Sequence, residues 1–509
     1  MKKFRGKIKM SKNLIYDVHD RPKFGNMIVF ALQQLLAILA ATIAVPTIIG
    51  LPTQIPAAIF GAGVGTLIYQ LFTKFRSPVF LGSSFAFLSS LGVAVAYGYC
   101  GIVLGSVVAG LVYVVIAIII RFVGTGWVNK LLPPVIIGPT VSLIGLSLAG
   151  AAMGDIVKAN SSVANGGYNL IGLLCGLVTF FTVIVCSSQK KYKMPRLIPF
   201  IIGIGAGYAV ASVFTLIGKL AGVDYFMVIN WQPIVDNFVA ADGSFRGFEA
   251  FISLPDFAVV EAIKELVNGE FSFEILAATK GGAKSLDLGS IAEVVIAFLP
   301  VALVVFAEHI ADHKNLSYII DKDLITDPGL DKTLLGDGVG SIAGTVLGVC
   351  PNTTYGESVG CVAITRNASV ATITTTAFMC IILSFLSPIM VLLQTIPSCV
   401  MGGVCLTLYG FIAVSGLKMF KDLDLSESKN LFVVAAILIS GIGGLTIQIP
   451  YAVAASGAVS KTIQVTSIAT ALILGILANF VLTKIEKSKL GVDPEDVNTE
   501  ESDKDVSEE

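Results

Sequence analysis

The chain is poor in charged residues and in histidine, and it lacks the short motifs typical of enzyme active sites. Charged residues make up 14% of its 509 residues, and only 3 residues are histidine. A soluble globular domain carries more charge than this. There is no Ser-His-Asp grouping, phosphate-binding glycine loop, metal-ligand spacing or basic-aromatic nucleic-acid surface. The sequence therefore gives no positive case for an enzyme, and it predicts no cofactor, metal or nucleic-acid partner.

Neither disulfide chemistry nor a removable leader is indicated. The 8 cysteines contain no CxxC pair and lie mostly within apolar segments, so we interpret them as packing residues. The N-terminal run MKKFRGKIKMSKN is basic, but no apolar stretch with a small-residue cleavage site follows it. We therefore expect the start of the chain to stay in the cytoplasm.

Long hydrophobic runs, by contrast, recur along the chain. Hydrophobic residues account for 55% of the sequence. Segments such as Gly101–Val123 and Leu197–Gly218 reach the roughly 20 apolar residues that cross a bilayer as a helix. There are too many of them for a single anchor. The sequence predicts an all-α polytopic protein of the cytoplasmic membrane, with lipid as its solvent.

Basic residues are clustered between the hydrophobic runs. If the segments are numbered from a cytoplasmic N-terminus, each cluster follows an even-numbered segment, as the positive-inside tendency requires. This agreement predicts fourteen transmembrane segments with both termini in the cytoplasm. It also places the long polar stretch 218–289 outside the cell. The acidic end of the chain, 486–509, is predicted to be a disordered cytoplasmic tail.

Two apolar segments are interrupted by hydroxyl and glycine residues, and they resemble each other. Ser83-Ser84-Phe85-Ala86 reads hydroxyl, hydroxyl, aromatic, small, and so does Thr353-Thr354-Tyr355-Gly356. Pro133-x4-Gly138 is echoed by Pro397-x4-Gly402 at a nearly equal offset. Seven segments in each half make the second copy inverted. Interrupted segments at matching places in inverted halves indicate the midplane substrate site of a transporter.

Three carboxylates stand out within these apolar segments. Glu308 is placed near mid-membrane in the eighth segment, where a charge is costly and marks a functional site. Asp312 follows one helical turn later on the same face, and two carboxylates so close favour a shared proton. Alternatively, the two acids pair with polar neighbours between helices. Glu357 lies in the second interrupted segment, where it contacts substrate, caps the adjacent helix, or does both.

Other polar residues in the apolar segments are ambiguous. Tyr409 and Gln34 are candidates either for substrate contact or for packing, and the sequence leaves both open. For His309 and His313, packing or interfacial roles are favoured.

At these residues the chain resembles the nucleobase-ascorbate transporter family, also called nucleobase:cation symporter family 2, and within it the bacterial uracil permeases. The resemblance covers roughly 24–485, apart from much of 235–285. The motifs that carry it are LGSSFAF at 81–87, GTGW at 124–127, LLPP at 131–134, AEH at 307–309, DPGL at 327–330, PNTTYGES at 351–358, AITR at 363–366 and VMGG…LYG at 400–410.

The resemblance implies a core domain that carries substrate, a gate domain through which two copies dimerise, and elevator-type movement between them. It also implies short antiparallel strands in the third and tenth segments. The expected divisions are a cytoplasmic segment 1–25, core 26–127, gate 128–217, outer loop 218–289, core 290–392, gate 393–485 and tail 486–509.

The resemblance also implies a substrate site. Glu308 and Glu357 would hydrogen-bond the ring of uracil, and backbone groups at Phe85 and Gly356 would complete its polar edge. Three further side chains would pack around the ring, namely Ala41, Tyr355 and Tyr409. Uracil would enter the cell with a proton carried by Glu308 and Asp312.

Some residues depart from the family pattern and keep alternatives open. Asp312 stands where related uracil permeases carry His, and it favours xanthine or another purine as the substrate. Glu357 fits the uracil branch. Ser358 and Gln34 replace the family's usual Asn and His. From a different class, an anion channel or sulfate-type carrier of similar inverted fold remains an alternative, although such sites are expected to avoid two buried acids.

Overall fold

Most of the chain is helical. The computed structural model describes residues 14–158, 168–453 and 459–489. The expected segment 1–25 and tail 486–509 lie partly outside these residues. The helices are α1 (Phe24–Ile48), α2 (Ile55–Phe72), α3 (Leu88–Val95), α4 (Gly98–Val123), α5 (Gly126–Leu131), α6 (Pro134–Ile156), α7 (Leu170–Ser187), α8 (Lys193–Leu197), α9 (Pro199–Ala221), α10 (Gln232–Phe238), α11 (Ala258–Asn268), α12 (Phe273–Ala278), α13 (Leu288–Ile320), α14 (Leu330–Leu347), α15 (Gly356–Thr365), α16 (Val370–Ser384), α17 (Ser387–Gln394), α18 (Ser398–Lys418), α19 (Ser428–Ile442) and α20 (Ser467–Lys489).

Nine helical stretches among the described residues are long and apolar enough to cross a bilayer. They contain α1, α2, α4, α6, α7, α9, α13, α18 and α20. Three shorter apolar helices lie at Phe85–Val95, Val370–Ser384 and Ser428–Ile442. These helices confirm a multi-pass membrane protein.

Two very short strands cross in the interior. β1 (Leu81–Ser83) pairs antiparallel with β2 (Asn352–Thr354), with Gly82 opposite Thr353, and all six residues are buried. Extended backbone away from water needs partners for its N–H and C=O groups, and each strand supplies them to the other. The pairing continues where the N–H of Ser84 donates to the carbonyl of Pro351 over 2.9 Å. The interrupted segments therefore meet each other.

Helices at matching positions in the two halves of the chain pack on matching partners. α2 packs on α14, and α6 packs on α18. In the first half α4 packs on α14, and in the second half α16 packs on α2 in the same way. α2 and α14 cross so closely that a Cβ at Gly61 would overlap the carbonyl of Gly344. Small residues allow such close approach between membrane helices. The packing pattern supports the internal repeat predicted from the sequence.

One hairpin departs from the expected all-α architecture. β3 (Ile447–Val453) pairs antiparallel with β4 (Val459–Val465) between α19 and α20. The sequence predicted strands only in the third and tenth segments and a helix from residue 461, and for the residues of β4 that prediction is wrong. Hydrophobicity alone does not separate a strand from a helix in short apolar runs, and several of these residues are β-branched.

The polar stretch 222–287, here called the cap, is folded against α4 and α16 with their neighbouring turns. Its Ser253 N–H donates to the carbonyl of Phe385 over 3.1 Å, and its Lys284 N–H donates to the carbonyl of Ala96 over 2.8 Å. The Glu265 carboxylate accepts the N–H of Cys100, 3.2 Å away, in the first turn of α4. Burial raises the pKa of that Glu265 carboxyl. The cap is thus fastened to helices of the expected core.

The contact between Glu265 and α4 depends on Gly98. This glycine has φ +69°, and a Cβ there would lie 2.5 Å from the Glu265 carboxylate. We expect Gly98→Ala to release the cap, because the carboxylate must leave the N–H groups of α4. An alanine held at this positive φ also destabilises the folded state by about 1–2 kcal/mol.

Limited proteolysis of the purified protein measures this release as faster cleavage within the cap. Gly243→Ala is the matched control, because Gly243 also has a positive φ of +82° but a Cβ added there would have no atom within 4 Å. Equal cleavage of the two variants would show that the Glu265 contact does not hold the cap.

Candidate functional site

The β1–β2 crossing sets two helical starts at one place inside the protein. Phe85 follows β1 and begins the turn that leads into α3, while Gly356 follows β2 and is the first residue of α15. The first N–H groups of a helix have no partner within the helix. They carry partial positive charge and suit an oxygen or an anion. Both starts border the same cavity.

This cavity has a volume of about 390 Å³ and lies between two sets of helices. Six of the predicted site residues line it, namely Phe85, Glu308, Asp312, Tyr355, Gly356 and Glu357. The opposite wall comes from α6, α9 and α18 and is largely apolar. Its residues include Val141, Ile144, Pro199, Phe200, Phe411, Ile412 and Ser415. The cavity extends to two basic residues, Arg196 and Lys418.

The carboxylates of Glu308, Asp312 and Glu357 converge on the cavity, near enough for their charges to repel one another. Asp312 Oδ2 accepts a hydrogen bond from Thr354 Oγ1 over 2.7 Å, which ties this acid of α13 to β2. Among the described residues, no side chain donates a hydrogen bond to Glu308 or Glu357, although the Glu357 carboxylate accepts one from its own backbone N–H. The oxygens not used in that bond remain available as acceptors for a molecule in the cavity.

Tyr355 joins the wall of the cavity to both strands. Its hydroxyl donates to the carbonyl of Ser83 over 2.9 Å and lies 3.4 Å from Thr42 Oγ1 on α1. A Cβ at Gly82 would overlap the Tyr355 ring, so the glycine of β1 leaves room for it. The ring is consequently held in one position.

Two predicted site residues lie behind the wall. Ala41 on α1 and Tyr409 on α18 are buried, and neither is among the residues that line the cavity. The Tyr409 ring meets Phe85 edge to face, with centroids 5.7 Å apart. The contact of Ala41 and Tyr409 with substrate stays a prediction. In the structure Tyr409 packs against Phe85, and Ala41 is part of the buried core around α1.

Gln34 has a clear partner. Its Nε2 donates to Ser358 Oγ over 2.5 Å, and both residues are buried. The bond joins α1 to the third residue of α15. Two of the positions that depart from the family pattern are thus paired with each other, which holds the helix start at Gly356 in place.

A buried polar network lies behind the carboxylates, and the sequence did not predict it. His309 Nδ1 lies 2.7 Å from Asp337 Oδ2 on α14, and its Nε2 lies 3.1 Å from Thr333 Oγ1. One turn further, His313 Nε2 lies 2.7 Å from the hydroxyl of Tyr69 on α2. The only sequence signal for Asp337 is an acid within the glycine-rich run GDGVGSIAG of a membrane helix. This network fixes α13, and with it Glu308 and Asp312.

The sequence of the chain places it in a known family. A profile described as "Permease family" matches residues 25–450. The chain belongs to the nucleobase-ascorbate transporter family. Family membership confirms the resemblance found in the motifs, and it places the chain among transporters rather than enzymes.

Several members of the family are similar over nearly their whole length. The uracil permease of Bacillus caldolyticus is 36% identical over 473 residues, which are 92% of this chain and 94% of that protein. The uracil permease of Bacillus subtilis is 34% identical over 484 residues, 94% of this chain and 98% of that protein.

Solved structures of other transporters share the fold. The murine Slc26a9 anion transporter in the inward-facing state matches with a TM-score of 0.58 and 10% identity, over 92% of this chain and 69% of that chain. The transmembrane domain of the cyanobacterial bicarbonate transporter BicA matches with a TM-score of 0.50 and 13% identity, over 91% of this chain and all of that domain, 100%. At such low identity the likeness concerns the fold alone.

We expect Asp337→Ala to destabilise this family member strongly. Removing one partner of a buried hydrogen bond leaves the other unsatisfied, which typically costs about 1–3 kcal/mol. Asp337→Asn keeps the shape and one hydrogen bond, so it should lose less. The measurement is the melting temperature in detergent.

Asp331→Ala is the control on the same helix, because Asp331 is only partly buried in the first turn of α14. The Asp331→Ala variant should lose less than about 1 kcal/mol of folding free energy. Equal melting temperatures for Asp337→Ala and Asp331→Ala would show that the His309–Asp337 contact does not stabilise the fold.

Proposed function

We propose that this protein is a uracil permease of the cytoplasmic membrane that carries uracil into the cell together with a proton. The observation that carries the proposal is the cavity in which Glu308 and Glu357 present acceptor oxygens beside the start of α15 at Gly356. The similarity to uracil permeases over more than nine tenths of the chain supports the substrate.

The chemistry of uracil matches these groups. Uracil is a flat ring with two N–H donors and two carbonyl acceptors. The carboxylates of Glu308 and Glu357 accept from the ring N–H groups, and backbone N–H groups at Phe85 and Gly356 donate to its carbonyls. A base lacking those groups would leave buried partners unpaired, which is the usual origin of such selectivity.

Proton coupling follows from the pair on α13. Glu308 and Asp312 lie one turn apart beside Glu357, and three ionised carboxylates cannot share one small cavity without strong repulsion. One of them holds a proton when the cavity closes around a neutral base. Asp312 also bonds Thr354, so loss of its proton is felt at β2, next to the substrate. Proton and substrate are thereby linked.

The architecture we propose is fourteen segments in two inverted sevens, with both termini in the cytoplasm. In this architecture the nine long spanning helices are joined by five further segments, which contain α3, α14, α15, α16 and α19. The core comprises 26–127 and 290–392, and the gate comprises 128–217 and 393–485. The matching packing of the two halves supports this division.

Transport by movement of the core against the gate fits the two walls of the cavity. The core wall carries the carboxylates and the helix starts, whereas the gate wall is mostly apolar. Substrate would travel with the core past the gate, and two copies would join through their gates. The extension of the cavity to Arg196 and Lys418 supports an opening toward the cytoplasm, since basic residues favour that side.

Xanthine or another purine is the second candidate, because Asp312 reaches the same cavity. An anion carrier is disfavoured by three carboxylates in the cavity, even though anion transporters share the fold. Uptake of labelled uracil and labelled xanthine into cells without their own permeases separates these candidates. Concentrative uptake of xanthine without uracil uptake would reject the uracil proposal.

We expect Glu357→Gln to weaken uracil binding at least tenfold or to shift selectivity toward purines. The amide can present a donor where the ring N–H needs an acceptor, and such a buried mismatch costs ~1–3 kcal/mol. Competition of labelled uracil binding by unlabelled xanthine measures both effects. Glu293→Gln, an acidic residue elsewhere in the second half that is not in the cavity lining, is the control. Wild-type affinity and selectivity in folded Glu357→Gln protein would remove Glu357 from the substrate site.

Asp312→Asn should separate accumulation from exchange. It removes the titrating carboxyl but keeps a side chain of the same shape beside Thr354. Accumulation against a gradient should fall, while exchange of preloaded substrate, which needs no net proton movement, should survive better. The two are compared in proteoliposomes with an imposed pH gradient. Equal loss of both activities, or of neither, would make Asp312 a structural residue only.

A further inference from the structure

The segment 14–22, here called the strap, is fastened across the ends of α1 and α16. The N–H of Ala368 donates to the carbonyl of Tyr16 over 2.9 Å, and the N–H of Val370 donates to the carbonyl of Val18 over 3.0 Å. Ser369 Oγ donates to the carbonyl of Asp20 over 2.6 Å. These bonds fix the strap to the first turn of α16. They also leave a hollow beneath it.

The hollow is a cavity of about 440 Å³, separate from the one that holds the carboxylates. Its wall is chiefly apolar and is formed by Val18, Met27, Phe75, Val370 and Ala371. Its polar rim is formed by His19, Asp20, Arg21, Thr374 and Thr375. An apolar pocket with a charged rim suits an amphipathic ligand.

An exposed apolar strip on the outer face of α16 extends away from the cavity. Ala371 and Thr375 line it, and Phe378 and Ile382 follow at helical spacing on the same side. Phe378 is 52% exposed and Ile382 is 62% exposed. In a multi-pass membrane protein, such large apolar side chains on an outer face contact lipid. A chain of hydrocarbon can therefore run from the cavity along α16.

The rim offers a positive charge that the protein does not use. Asp17 pairs with Lys322, and Arg76 pairs with Asp327. Asp20 turns its carboxylate to the N–H of Asp17, 2.7 Å away. Arg21 is exposed and forms no ion pair within the described part of the chain. Lys23 lies two residues after Arg21, and Lys74 precedes Phe75 of the cavity wall. Both are likewise without an ion-pair partner among the described residues.

We propose that this cavity binds an anionic phospholipid, with its phosphate at Arg21 and an acyl chain along the outer face of α16. The cytoplasmic leaflet is the source, given the orientation proposed above, and anionic lipids are attracted to basic sites there. The apolar wall and its sideways continuation favour a lipid over a free phosphate. A bound lipid would connect the strap with α1, the turn after α2 and α16, which belong to the expected core.

The test uses the full-length protein, purified and stripped of lipid in detergent. Native mass spectrometry and thermal unfolding are followed on addition of phosphatidylglycerol, phosphatidylcholine or inorganic phosphate. We expect phosphatidylglycerol to bind and to raise the melting temperature more than the other two. Arg21→Gln should weaken phosphatidylglycerol binding about tenfold, as expected for loss of one charge-assisted contact. Ala371→Phe should weaken both phospholipids by filling the apolar part.

Arg121→Gln is the matched control, since Arg121 is also an exposed arginine near a helix end, on α4 and outside the cavity. Equal weakening by Arg21→Gln and Arg121→Gln would mean a general effect of surface charge and would overturn the proposal. Unchanged binding in Arg21→Gln would do the same. Stabilisation by phosphate equal to that by phosphatidylglycerol would make the hollow an anion site and reject the lipid. None of these readouts requires uracil transport, so failure of the proposed function leaves them unaffected.

Discussion

The structure depends on one constraint, which is that backbone groups away from water must find partners within the protein. Two segments break their helices inside the membrane, and the antiparallel pairing of Leu81–Ser83 with Asn352–Thr354 satisfies the exposed backbone. Because each strand is short, a new helical start follows it at once, at Phe85 and at Gly356. The pairing therefore produces two sets of free N–H groups where neither half of the chain alone provides a site.

The same pairing of β1 with β2 also links the backbone at the cavity to Asp312 through hydrogen bonds. Thr354 belongs to β2 and bonds Asp312, while Tyr355 follows it and bonds the carbonyl of Ser83 in β1. Gln34 holds the other side of α15 through Ser358. A change of charge at Asp312 would consequently reach the backbone that borders the cavity through one hydrogen bond rather than through a long pathway.

The three carboxylates that line the cavity could be selected from the sequence because a charge in an apolar run is costly and easily recognised. Glu308, Asp312 and Glu357 could be selected on that ground, and the interrupted segments on their hydroxyl and glycine content. Asp337 escaped because its helix is rich in glycine and its partner, His309, is distant in sequence. The β3–β4 hairpin was not predicted because short apolar runs show no helical periodicity. The docking of the cap was not predicted because it depends on tertiary contacts, although its helix α11 is amphipathic. Ala41 and Tyr409 were drawn from the family resemblance, and their positions behind the wall depend on tertiary packing.

The distribution of polar contacts explains how a core could move without losing its structure. His309–Asp337, Gln34–Ser358 and Tyr355–Ser83 each join two elements of the expected core. The facing surface of α6, α9 and α18 meets the cavity with side chains such as Ile144, Phe200 and Phe411. Apolar contacts are non-directional, so they can be exchanged along a sliding surface at small cost, whereas a buried hydrogen bond broken at each step would cost about 1–3 kcal/mol. Polar groups that stay paired within the expected core, against a largely apolar facing surface, would support the proposed movement of the core as one rigid unit.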